Sequence, residues 1–87
     1  MTTPEERAED DFQNMMAECV AISNLVTNPQ KGRDQIYEIM RRLEVLGKME
    51  GGWEGGALSG IDLSAVPAYE QYKKLHTRMW VDIKKVI

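Results

Sequence analysis

Hydrophobic and polar positions along the chain alternate with a helical period in three separate stretches. Phe12, Met15, Cys19, Ile22 and Val26 recur at spacings of three and four, flanked by Met16, Val20 and Leu25. This is a heptad seam widened to an apolar stripe, and it predicts an amphipathic helix over about Pro4 to Thr27. Thr3-Pro4-Glu5-Glu6 supplies its start: a capping threonine, proline at the first helical position and a glutamate able to reach back to the cap. Asn28-Pro29 stops it, because the residue before proline disfavours the helical region. A second seam, Ile36, Ile39, Leu43 and Leu46 with Tyr37 and Met40 beside it, predicts a helix over about Gly32 to Met49. The connection is short, so these two helices are expected to form an antiparallel hairpin. The third run is Tyr69, Tyr72, Leu75, Met79, Ile83 and Val86, with Trp80 and Ile87 on its shoulder. It predicts a helix over about 65–86, with Ser64 as cap and Pro67 in the first turn. No stretch alternates with period two, and there is no internal repeat. The expected fold is all-α: a single domain of three helices spanning residues 1–87.

Residues 50–64 break the pattern. GGWEGGALSG (Gly51 to Gly60) holds five of the chain's seven glycines and one of its two tryptophans. Glycine is costly to order, so an aperiodic loop of this length calls for a reason. Two readings are open. Trp53 and Leu58 fold back over one end of the bundle, or Trp53 anchors a partner, as tryptophan does at energetic hot spots.

Composition narrows the possibilities. Eighty-seven residues bury a modest core. Three amphipathic helices leave wide apolar stripes, so self-association is expected, with the symmetric dimer as its commonest form. The single cysteine, Cys19, excludes an intrachain disulfide, and its apolar neighbours favour a reduced core thiol. No apolar run reaches the roughly 20 residues of a membrane span. The N-terminus is acidic, unlike a signal peptide, and the expected location is cytoplasmic. The net charge of −3 is uneven. Residues 1–28 hold six acids against one base, and residues 68–87 five bases against two acids. A negative whole argues against non-specific DNA binding. The acidic head and basic tail are suited to attract each other, within one chain or between chains.

Motifs for chemistry fail on inspection. The only Gly-Lys, Gly47-Lys48, precedes the glycine-rich stretch and lacks the following Ser/Thr of a phosphate-binding loop. One Cys and one His do not make a zinc site, and Glu50, Glu54 and Asp62 are too sparse for a calcium loop. Cys19 with His76 is the only conceivable nucleophile–base pair, and a hydrogen-bonded histidine beside the helix stripe is the simpler account. No catalytic residue, cofactor or metal is expected. Six methionines fill apolar stripes or present an adaptable surface. Lys31 and Arg33, at the turn into the second helix, are candidate anion contacts, since a helix N-terminus offers free amides. The acids Glu9, Asp10 and Asp11 on the first helix are a solvated face or a partner contact.

The segment AISNLVTNPQKGRDQIYEIMRRLEVLGKM (Ala21 to Met49) resembles the helical hairpin of phage nucleotide-sponge proteins that counter CBASS and Thoeris immunity. The likeness spans about a third of the chain. It implies a non-enzymatic oligomer that sequesters cyclic oligonucleotide signals. Lys31 and Arg33 would contact phosphate, and an aromatic such as Phe12, Tyr37 or Trp53 would stack on a base. The long Gly/Trp segment and the third helix depart from that family. Size, acidity and the failed catalytic motifs are similar to those of mobile-element inhibitors such as anti-CRISPRs, which occlude a host component. The leading expectation is therefore a non-enzymatic counter-defence inhibitor of a host protein or ribonucleoprotein complex. Trp53, Glu54, Leu58, Glu9, Asp10 and Asp11 would contact the partner. The alternatives are a cyclic nucleotide sponge and a structural or assembly subunit.

Overall fold

A computed structural model describes residues 3–28, 32–55 and 61–85. It contains α1 (Pro4–Val26), α2 (Arg33–Glu54) and α3 (Pro67–Lys84), with a single 3-10 turn at Leu63–Ala65 before α3. No strand occurs among the described residues. The fold is all-α, as the periodicity predicts.

The Thr3 hydroxyl accepts the Glu6 amide at 3.1 Å, satisfying one free donor of α1, and Pro4 begins the helix. The seam Phe12, Met15, Cys19, Ile22 and Val26 is wholly buried, together with Ala8 one turn earlier. In α2, Gln35 reaches back to accept the Gly32 amide. Ile39, Leu43 and Leu46 of this helix enter the core.

Two helix boundaries correct the sequence reading. Helix α2 does not stop at Met49. It continues through Gly51 and Gly52 to Glu54, so the first five residues assigned to the loop are helical. The cause is Trp53, which is only 9% exposed and lies seven residues after Leu46 on the same face. Two glycines in a helix cost about 1 kcal/mol each relative to alanine. Removing a tryptophan side chain from water returns about 4 to 6 kcal/mol, at 25 cal/mol per Å² over 150–250 Å². Burial wins, and it carries the helix across the glycines. The second correction concerns Ser64, which does not cap α3. Its amide and hydroxyl both bond to Asp62, which caps the 3-10 turn instead. Helix α3 begins at Pro67 behind Val66, a residue with no side-chain cap. The missing acceptor comes from α1: Glu9 Oε1 accepts the Ala68 amide at 3.0 Å.

That bond fixes the topology. The N-terminal halves of α1 and α3 lie together, so these two helices run parallel, and theirs is the most extensive interface. Helix α2 runs antiparallel to both, with Trp53 beside Phe12, Arg42 beside Glu18 and Leu43 beside His76. The expected α1–α2 hairpin is present, but α3 is the main partner of α1. The molecule is an elongated rod of 45 × 20 × 18 Å. Phe12 sits where the three helices converge. Its ring lies 6.2 Å from Trp53, 5.2 Å from Tyr69 and 5.5 Å from Tyr72, centroid to centroid.

A cheap test separates helix from loop at residues 51–54. A Cβ at Gly51 or Gly52 meets nothing within 4 Å. Gly51→Ala and Gly52→Ala should each stabilise by about 0.5 to 1 kcal/mol in thermal or urea unfolding. Trp53→Ala should cost about 3 to 5 kcal/mol. Alanines that destabilise, or a Trp53→Ala chain as stable as the parent, would contradict the assignment.

Candidate binding surfaces

The residues singled out from the sequence are dispersed by the fold. Trp53 is core, so the reading of it as an exposed partner anchor is corrected in favour of inward folding. Leu58 and Lys31 lie outside the described residues. Glu54 is exposed and accepts the Tyr69 hydroxyl at 2.7 Å, which holds its carboxyl below the usual range. Glu9 is half-buried and occupied as the α3 cap. Asp11 is half-buried, while Asp10 is exposed and lines a cleft of about 300 Å³ with Glu5, Glu6 and Pro67. Arg33 is exposed in the first turn of α2. The fold thus brings Glu54 and the α1 acids to the same end of the molecule but takes Trp53 into the core, away from any contact surface.

Cys19 is buried, and burial pushes its thiol up to about 11, with Glu18 adding to the effect. Such a thiol is not a nucleophile at neutral pH. His76 is engaged elsewhere. Its Nε2 lies 3.0 Å from the Leu43 carbonyl oxygen, which can only accept, so Nε2 carries a proton. Its ring stacks on Tyr72 at 5.3 Å and meets Trp80 edge-on. Nδ1 faces Glu50 Oε1 at 3.9 Å, which is beyond hydrogen-bond range but close enough for attraction when the imidazole is charged. No group of three or more metal-binding side chains occurs among the described residues.

Around His76 lies a polar cluster that the sequence reading did not assemble. Glu50 and Glu54 on α2 meet Tyr69, Tyr72, Lys73 and His76 on α3. Burial raises the Glu50 carboxyl, and the neighbouring Glu54 adds to the rise, while His76 and Lys73 oppose it. Lys73 sits over the Tyr69 ring at 5.0 Å. The Tyr72 hydroxyl is buried near Glu50 and makes no well-formed hydrogen bond. The spacing that carries this cluster was visible: Glu50 and Glu54 are one turn apart, as are Tyr69, Tyr72 and His76. What the sequence withheld was that α2 reaches far enough to bring them together. The cluster ties the last turns of α2 to α3, and its chemistry is that of a clamp.

Two surfaces remain open. Arg33, Tyr37 and Arg41 stand one turn apart along the outward side of α2, and Tyr37 is 65% exposed. Separately, α1 and α2 flank a groove of about 180 Å³ lined by Asn14, Met15, Glu18, Arg42, Val45 and Met49. Val45 and Met49 are 49% and 45% exposed. Arg42 Nε donates to Glu18 Oε2 at 3.1 Å across it. Among the described residues, no helix is long and apolar enough to cross a membrane. Comparison with protein-family models, with curated proteins and with solved structures finds no match.

Two substitutions test the clamp. Tyr72→Phe removes a buried hydroxyl that makes no well-formed hydrogen bond, so stability should hold or rise by up to about 1 kcal/mol. A loss above 1 kcal/mol would reveal a bonded hydroxyl. Because the folded-state pKa of Glu50 is raised, its contribution is full at low pH and is lost as pH rises through that value. Glu50→Gln should therefore melt higher than the parent at pH 7, with the difference closing below about pH 4. A difference that stays constant with pH would refute the burial account.

Proposed function

We propose that this protein is a non-enzymatic binding protein that occludes a macromolecular partner through the outward side of α2. Tyr37 carries the reading. It is a large aromatic left mostly in water on a helix whose other side is core, with arginine one turn before and one turn after it. Tyrosine and arginine are the side chains enriched among binding hot spots, since each combines broad apolar area with directed hydrogen bonding. The arginines favour an acidic patch on the partner. Occlusion by a small counter-defence inhibitor of a host protein or ribonucleoprotein complex fits this surface. The contact shifts from Trp53, which the core consumes, to Tyr37 and Arg41.

One observation favours a second reading, the sequestration of a cyclic oligonucleotide. Of the three aromatics that could stack on a base, Phe12 and Trp53 are buried, and Tyr37 remains beside Arg33 at the α2 N-terminus. Asp34 in the same first turn opposes an anion there.

Tyr37→Ala should leave the fold and melting temperature unchanged while weakening partner capture by more than 1 kcal/mol. The check is affinity purification from host lysate with parent and variant as bait, followed by titration of the captured protein. Retained affinity in Tyr37→Ala would refute this surface. Thermal-shift titration with cyclic di- and trinucleotides decides the second reading. A ligand at 100 times its Kd stabilises by about 2.7 kcal/mol.

A further inference from the structure

We propose that the α1–α2 groove is the interface of a two-fold dimer in which two copies lie antiparallel, the acidic end of each against the basic end of the other. The proposal is independent of the reading of Tyr37, which lies about a quarter-turn of helix away from Val45.

Charge polarity of the rod chooses the occupant. Because α1 and α3 run parallel and α2 antiparallel, residues 3–14, 48–55 and 61–73 form one end of the molecule. Residues 15–28, 32–47 and 74–85 form the other. The first end holds nine acids against three bases, and the second seven bases against five acids. Side-by-side copies with the same orientation would set like ends together, and antiparallel copies set opposite ends together. The α1–α2 face repeats this complementarity locally. Arg7, the only base on α1, shares a heptad stripe with Asn14 and Leu25 near the acidic end. Asp34 and Glu38 share a stripe with Val45 near the basic end. Antiparallel pairing brings Arg7 of one copy to these acids of the other.

Apolar positions obey the same symmetry. Val45 and Met49 flank the groove on one side of the Glu18–Arg42 pair. On the other side, Leu25, which is 37% exposed, lines a second depression with Gln35 and Glu38. Met49 lies seven residues beyond Arg42 on α2, and Leu25 lies seven residues beyond Glu18 on α1, in opposite directions along the rod. A two-fold axis at the level of Glu18 and Arg42 therefore lays Met49 and Val45 of one copy over Leu25 of its mate. The operation applies twice, so each apolar residue is covered. With the axis midway between them, Glu18 of each copy comes level with Arg42 of its mate, so each charge has an opposite partner there.

The test is sedimentation equilibrium of the full chain across concentration and salt, with Val45→Glu/Met49→Glu as the disrupting variant. The parent should sediment as a dimer that weakens at least tenfold between 0.05 and 0.5 M salt, as expected when charges attract across an exposed interface. The double variant should be monomeric with an unchanged helical circular dichroism spectrum. Orientation is read separately. Leu25→Cys and Met49→Cys chains, mixed and treated with a short bis-maleimide, should cross-link to each other. Neither chain alone should cross-link to itself, and buried Cys19 stays unreactive. A monomeric parent, or a double variant that still dimerises, overturns the interface. Leu25→Cys chains that cross-link to themselves overturn the antiparallel arrangement.

Discussion

The structure depends on one convergence: the Phe12 ring packed against Trp53 from α2 and Tyr69 and Tyr72 from α3. These four aromatics come from all three helices, two of them from successive turns of α3, so their meeting fixes the relative height of the helices. Phe12 is fully buried, and its nearest rings stand tilted or edge-on, the arrangement that aromatic quadrupoles favour. Trp53 is the participant with the weakest local support. Glycines precede it immediately, and only tertiary burial makes its segment helical. Once it docks, Glu50 and Glu54 come within reach of α3, and the polar clamp can form behind it. The order of causes runs from the tryptophan to the helix extension to the clamp.

Parallel packing of α1 and α3 has an electrostatic consequence. Both helix N-termini lie at one end of the rod, and the acids of α1 collect there, where helix dipoles are positive. Glu9 makes this specific, since it spans two helices to cap the α3 amide that Val66 cannot serve. Lys74, Arg78 and Lys84 of α3, with Lys85 just beyond it, lie toward the far end. Charge separation along the chain thus becomes charge separation along a 45 Å axis. A rod of this kind has a preferred partner orientation, and exposed Leu25, Val45 and Met49 lie on a face that can use it.

Much of the architecture was legible from residue spacing. The α1 seam was readable to the residue, because five apolar positions at strict helical intervals admit no other period. The core of α2 up to Leu46 and the α3 stripe followed in the same way. The end of α2 did not, because local propensity and tertiary burial disagree at Gly51-Gly52, and the sequence shows only the first directly. A clue was present: Ile39, Leu46 and Trp53 keep a seven-residue interval straight through the glycines. The α3 start was hidden for a different reason, since its acceptor comes from Glu9, 59 residues away. Candidate surface residues were the least legible. Exposure of Tyr37, Val45 and Met49 depends on how far each helix rotates toward its neighbours. A stripe's shoulder looks alike in sequence whether it is covered or bare.

The central claim is that Trp53 burial holds residues 51–54 in the helix and joins α2 to α3. Amide hydrogen exchange of the full chain addresses it residue by residue. The account predicts strong protection for the amides of Trp53, Glu54 and Gly55, comparable to the middle of α2, and loss of that protection in Trp53→Phe ahead of any loss at Leu43 or Leu46. Exchange of those three amides at the rate of an unstructured chain in the parent protein would contradict it.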